Sequence, residues 1–278
     1  MVRCSGFGIF VEDSNEFNKI FVPFAKKLQK SLSDIGLVCE FQPKLDTFLG
    51  TKIIFGAHSE PEKWANNLSP SDIIVNLEPV FKNDWRNKNC LYCDLLKRHQ
   101  VLDYTKKNKV YAGKHDVITI PPLFRCHTQQ EKDRLVLFVG NLTTYRRQVI
   151  QSFHKYQISV HFGFRLFGQK LASEINRAAI FLNINDENND TFNAFRFALC
   201  SGLNTLFVGD SGDWSSTKEI EPAIGVSIVE NPQMISEQAS ALINDPSYYL
   251  EALNLQKQIA NDQNKKFIEF VWEYFGKR

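Results

Sequence analysis

Short apolar runs separated by amphipathic stretches of about 10–15 residues constrain this chain most, because that alternation is the pattern of βαβ units and parallel sheets. Residues 7–11 read as a buried strand. Residues 17–35 read as a helix, with Ile20, Phe21, Phe24, Leu28, Leu32 and Ile35 on one face. Pro23 falls in its first turns, where proline is tolerated, and Gly36 supplies a C-terminal stop. Further strands are expected over 37–41, 52–55, 72–77 and 117–120, with a helix over 90–102. Pro121-Pro122 then interrupts the pattern, since two prolines continue neither a helix nor a central strand. Beyond it the alternation restarts. Strands are expected over 135–139, 158–163, 179–184 and 205–209, and helices over 145–156, 168–176, 191–201, 236–244 and 247–275. Two such series predict an α/β chain of two Rossmann-like domains facing a cleft, 1–122 and 123–263.

A length of 278 residues suits two cores of roughly 120–150 residues each, and 23 phenylalanines make those cores rich in aromatics. With 33 basic and 31 acidic residues the net charge is +2, which gives no reason to expect nucleic acid or an anionic membrane as partner. No run approaches the roughly 18–20 apolar residues of a membrane span, leaving at most peripheral membrane contact. No basic segment and long apolar run follow Met1, so a cytoplasmic protein is expected. The six cysteines, Cys4, Cys39, Cys90, Cys93, Cys126 and Cys200, are then reduced thiols. Cys90 and Cys93 have the spacing of a zinc-ligand pair, but only Cys126-His127 stands near as a second pair, so a zinc module is the least favoured reading.

Ligands of open parallel sheets bind beyond the carboxyl ends of the strands, so the loops leaving strands are the places to look. After the first strand comes Glu12-Asp13-Ser14, where Asp13 is either a helix cap or a carboxylate placed to take a proton from a substrate hydroxyl. Gly56 allows a tight turn that presents His58, a structural or a functional histidine. Glu78 leaves the next strand as a base, a ligand for sugar hydroxyls or a solvated strand end. In the second half, Gly140 and Asn141 open a hydroxyl-rich turn into a helix carrying Arg146 and Arg147. That is a phosphate site, or else a solvated helix face. No G-x-G-x-x-G fingerprint is present. Gly163 ends a strand where backbone can pass close to a nucleobase, while Phe162, Phe164 and Phe167 are assigned to the core. The richest loop holds Asn183, Asn185, Asp186, Glu187, Asn188, Asn189, Asp190 and Thr191. Asp190 or Thr191 is expected to cap the helix; the rest exceed what capping requires. Arg196 follows among Phe192, Phe195 and Phe197, so it is partly buried and needs an anionic partner: a pyrophosphate, Asp210 or Glu187.

Three segments carry a family resemblance. "LVLFVGNLTTYRRQVIQSF" is similar to the strand, G-x-x-x-x-R-R and helix of the donor-binding domain of GT-B glycosyltransferases, especially the CgeB-like and family 1-like group. "AAIFLNINDENNDTFNAFRFALCSGLNTLFVGDSGD" resembles their strand, polar loop and R-x-x-x-A-L-x-x-G segment. The stretch from "IIVNLEPVF" to "ITIPPLF" resembles the end of their acceptor domain. Exostosin-type and fucosyltransferase-type enzymes share a similar C-terminal pattern.

The resemblance implies transfer of a sugar from a nucleotide-sugar donor to a hydroxyl of a glycan or glycoconjugate acceptor, with the last helix, 264–278, crossing back to the first domain. It implies that Arg146 or Arg147 and Arg196 neutralise the leaving diphosphate. Glu187 and its asparagine neighbours would bind the donor, with Asp13, then Glu78, as base and His58 as alternative base or phosphate contact. Two departures matter. Eight residues after Glu187 stands Phe195, not the second glutamate of many retaining members, so an inverting reaction is expected. No D-x-D triplet occurs, so neither a metal nor another cofactor is expected, and arginines with helix amides stabilise the leaving group. The rivals are a nucleotide-sugar 2-epimerase of the same fold and a non-catalytic sugar-binding protein.

Overall fold

Near-continuous apolar runs become strands buried on both faces, as in parallel sheets covered by helices on either side. The computed structural model of the chain describes residues 6–12, 14, 16–78, 91–103, 118–119, 131–185, 193–210, 223 and 226–277. It divides into unit 1, Met1–Leu123 with Lys265–Arg278, and unit 2, Phe124–Asn264. Pro121-Pro122 lies outside the described residues.

In unit 1, β1 (Phe7–Val11) leads through a 3-10 turn, Glu16–Phe21, into α1 (Val22–Asp34), which has Pro23 in its first turn. Gly36 follows in a left-handed conformation, φ 84°, and its amide donates to the carbonyl of Ser33, ending the helix. Then come β2 (Cys39–Phe41), β3 (Thr51–Phe55), α2 (Pro61–Asn67), β4 (Ile73–Asn76), α3 (Leu91–Arg98), β5 (Gln100–Asp103) and β6 (Ile118–Thr119). The strands order as β2-β1-β3-β4-β5-β6, every neighbouring pair parallel. Phe10, Ile54, Ile74 and Val101 pack against Trp64, Tyr92, Leu95 and Leu96 of the covering helices. The helix expected over 90–102 stops at Arg98, and its last residues form β5 instead. Val101 and Leu102 are buried opposite Ile74 and Val75, and that pairing outweighs local helix preference.

Unit 2 repeats the scheme. Its elements are β7 (Arg134–Val139), α4 (Thr144–Gln151), β8 (Val160–Gly163), α5 (Gly168–Arg177), β9 (Ala178–Asn183), α6 (Ala194–Gly202), β10 (Leu206–Asp210), β11 (Ile228–Val229), α7 (Ile235–Asn244) and α8 (Pro246–Phe275). The sheet orders as β11-β10-β9-β7-β8, again parallel. Numbered from each unit's own first strand, both sheets contain the order 2-1-3-4-5, to which unit 1 adds a sixth strand. The direction of winding therefore reverses between β1 and β3 in unit 1, and between β7 and β9 in unit 2. Beyond the carboxyl ends of those strand pairs lies the crevice that doubly wound sheets use for ligands.

Two polar side chains stitch unit 2. The Lys132 ammonium donates to the carbonyls of Asn176 and Leu203 and to the Thr205 hydroxyl. The buried Gln256 amide of α8 accepts from the Phe207 amide and donates to the Thr205 carbonyl, each at 2.8 Å. Residues of α8 up to Asn264 belong to unit 2 and those from Lys265 to unit 1, where the Phe275 ring meets Phe7 edge-on with centroids 5.4 Å apart. Among the described residues, no helix is long and apolar enough to cross a membrane.

Candidate active site

The switch point of unit 2 gathers two arginines. Arg146 reaches it from α4, whose start Thr143 fixes by accepting the Arg146 amide on its hydroxyl. The Arg146 guanidinium lies 5.9 Å over the Phe138 ring and donates through Nε to the carbonyl of Ile184 at 2.9 Å and through Nη1 to that of Asn141 at 3.1 Å. Arg196 comes from the first turn of α6, over the Phe181 ring at 5.8 Å, and Nη1 donates to Asn183 Oδ1 at 3.5 Å. Burial, with the like charge of Arg146 beside it, pushes Arg196 down to about 10. Arg147 is exposed and turns back to the Leu142 carbonyl.

Asn183, Ile184 and Asn185 organise this corner in three consecutive steps: the first holds Arg196, the second Arg146 and the third Asp210. Asp210 ends β10 and is nearly buried. One carboxylate oxygen accepts the Asn185 amide at 2.9 Å and the other accepts its side-chain Nδ2. Burial pushes Asp210 up to about 6, against the pull of the Asn185 amide and Arg146. Asp210 is thus engaged by Asn185; the structure seats Arg196 on Asn183 and Phe181. A second site feature lies at the end of β8, where Gly163 accepts the Gly140 amide. Phe162 and Phe164, expected in the core, are 48% and 51% exposed, because β8 is the edge strand of its sheet. Their rings stack in series on Phe138, at 6.1 and 6.5 Å between centroids, beside a cavity of about 450 Å³ reaching Lys170 and Ser173.

In unit 1 the β3 exit turns at Gly56, φ 78°, where a Cβ would meet the Asn18 amide at 2.9 Å. That turn delivers His58, whose Nε2 stands 3.6 Å from Glu78 Oε1 beyond β4. Phe21 and Tyr92 meet the imidazole edge-on, at 6.3 and 5.9 Å. Asn18 donates to the Ser59 hydroxyl at 2.9 Å, while its Oδ1 is buried with no hydrogen-bond partner among the described residues. Glu12, closing β1, is buried against Lys63 at 2.7 Å. Burial alone would raise its carboxyl, but the Lys63 ammonium and the Ser14 amide outweigh it and hold it below the usual range.

The structure thus brings Gly140, Asn141, Arg146, Gly163, Asn185 and Arg196 to the carboxyl ends of one sheet, and His58 and Glu78 to those of the other. Asp13, Glu187, Asn188, Asn189 and Thr191 lie outside the described residues. The cap of α6 is Asn193, whose Oδ1 accepts the Arg196 amide at 3.0 Å, in place of Asp190 or Thr191. Asn76, Tyr92 and Asp103 of unit 1 fall within the stretch that carries the family resemblance, but no site role is read for them from the sequence. The signal for Asp103, a carboxylate closing a strand, was masked by the helix expected there. Among the described residues, no group of three or more His, Cys, Asp or Glu is placed to hold a metal ion.

No family model matches the sequence, and no curated protein matches it either. Solved structures do match. The chain is similar to the DNA-modifying enzyme β-glucosyltransferase described with its substrate uridine diphosphoglucose, at 14% identity and a TM-score of 0.61 over 98% of each chain. It is similar to T4 phage β-glucosyltransferase at 13% identity and a TM-score of 0.62, again over 98% of each chain. WaaG, a glycosyltransferase involved in lipopolysaccharide biosynthesis, aligns at 8% identity and a TM-score of 0.56 over 97% of this chain and 99% of that one. At such identities the likeness bears on the fold, and the two parallel sheets, their order and the helix shared between units agree with it: the chain has the GT-B fold of glycosyltransferases.

Proposed function

We propose that this chain moves a sugar from a nucleotide-sugar to an acceptor hydroxyl, without a metal and with inversion at the anomeric carbon. The observation that carries the reading is the Arg146–Arg196 pair at the switch point of unit 2. Burial, and to a lesser degree the like charge of Arg146, depresses Arg196, so a diphosphate laid against the two guanidiniums would bring negative charge to a site where positive charge is disfavoured. The donor's diphosphate would lie against these arginines and the start of α6, with Gly140, Asn141, Asn185, Glu187, Asn188, Asn189 and Thr191 around phosphate and sugar. The Phe162–Phe164 platform suits a nucleobase, since stacking on an exposed aromatic face needs no particular hydrogen-bond pattern.

In the reaction, the acceptor oxygen forms its bond to the anomeric carbon as the bond to the diphosphate oxygen breaks. The bonding electron pair leaves with the diphosphate, and the acceptor's proton passes to a base. The His58–Glu78 pair supplies that base from unit 1; Asp13 is the competing candidate. A glycan or glycoconjugate hydroxyl is the first acceptor class. A hydroxyl carried by DNA is the second, favoured by a likeness covering 98% of a DNA-modifying enzyme's chain.

Purified protein mixed with a panel of nucleotide-sugars, with and without glycan or hydroxyl-bearing DNA acceptors, tests the reading. Release of nucleoside diphosphate that requires an acceptor is expected. An isomerised donor in the absence of acceptor would mark an epimerase. Donor binding, seen as raised thermal stability, with no turnover on any acceptor would mark a sugar-binding protein.

A further inference from the structure

Asn76 and Asp103 are the last residues of two neighbouring strands and are paired in register, so their side chains leave the sheet side by side. Both are wholly buried. The Asn76 amide makes four hydrogen bonds. Nδ2 donates to Asp103 Oδ2 at 2.7 Å and to the Glu78 carbonyl at 2.9 Å. Oδ1 accepts the Glu78 amide at 3.2 Å and the Tyr92 hydroxyl at 2.7 Å. A carboxylate only accepts, so Asp103 dictates which end of the amide is NH2; the reversed amide would set oxygen against oxygen. With that direction set, both peptide groups of Glu78 are captured, and its side chain leaves toward His58 Nε2 at 3.6 Å. Tyr92 serves both partners, its hydroxyl on Asn76 and its ring against the imidazole.

We infer that Asp103 and Asn76 are positioning residues that hold the Glu78 carboxylate on His58, so that the pair meets its substrate already oriented. The functional meaning of this arrangement rests on the proposed role of His58 and Glu78 as base; the geometry does not.

The test follows the His58 imidazole by NMR titration in the full chain. Titratable groups beside it include Glu78 and Tyr92, with Asp103 one amide away. Glu78→Gln removes a nearby negative charge and should lower the His58 midpoint by about one pH unit. Asp103→Asn keeps Glu78 in the chain but frees the amide to reverse, and should lower the midpoint by at least half as much. Tyr92→Phe keeps the ring, loses one bond to Asn76 and should move it less, in the same direction; it carries the test if Asp103→Asn does not fold. A wild-type midpoint in a folded Asp103→Asn protein, or in Tyr92→Phe where that variant stands in, would overturn the inference. So would a Glu78→Gln protein titrating like wild type. Sugar transfer by the same variants is read separately. If the midpoints shift as expected while transfer is unchanged, the positioning stands and the assignment of the base fails.

Discussion

At the scale of single residues, Arg146 and Arg196 matter more for binding than for folding. The repulsion between them offsets their hydrogen bonds to Ile184, Asn141 and Asn183, so truncating one should change the free protein little while weakening its hold on an anion. Arg146→Gln and Arg196→Gln are each expected to lower affinity for a nucleoside diphosphate by about 10–100-fold in isothermal titration, the worth of one charged hydrogen bond. The melting temperature of the ligand-free protein should stay near wild type. Asp210 adds a pH dependence. Its folded value, about 6, stands above the ordinary 3.8, so between those pH values the folded protein holds a proton that the unfolded chain has lost. Its contribution to stability is therefore full below about pH 4 and is lost as pH rises through about 6, a change on the order of 2–3 kcal/mol. The difference in melting temperature, wild type minus Asp210→Asn, should fall between pH 4 and 7. A difference that rises over that range would reverse the sign argued here.

Among the elements, Gln256 shows how a helix stabilises a sheet. Its side-chain amide stands in for a missing strand, pairing with two backbone groups of the Thr205–Phe207 segment. Gln256→Leu would leave a buried amide and a buried carbonyl unpaired, and is expected to cost about 2–4 kcal/mol in denaturant unfolding. The strands and most helices were legible in the sequence because parallel strands read as apolar runs and helices as three-and-four spacings. Where reading failed, packing across the sheet decided. Residues 100–102 continue an amphipathic pattern with neither glycine nor proline to break it, and only their place beside β4 makes them a strand. The run Phe162-Gly163-Phe164 has core composition, but lies on an edge that no local pattern announces. In the loop entering α6, several consecutive residues are competent caps, so the choice of Asn193 depends on where the chain leaves β9. Arg146 was legible from its place after a strand exit, and Arg196 from the apolar neighbours that bury it. The Asn76–Asp103 pair needed the register of two strands 27 residues apart to become visible.

For the whole molecule, the decisive element is α8. Phe267, Val271 and Phe275 are buried in unit 1, although the helix begins in unit 2. Phe275→Ala removes a ring that packs on Phe7 and should destabilise unit 1 by about 3–5 kcal/mol. Calorimetry should show an earlier transition, while nucleoside diphosphate affinity of the folded protein, carried by unit 2, is retained. The same helix bears on how the chain is made. Synthesis usually lets an amino-terminal domain fold before its successor. Unit 1 here is discontinuous: it lacks Lys265–Arg278 until the whole of unit 2 has been translated. Unit 2 is a single stretch of chain, complete in sequence at Asn264, whereas the amino-terminal sheet gains its closing helical segment only with Lys265–Arg278, the last part of unit 1 to be made.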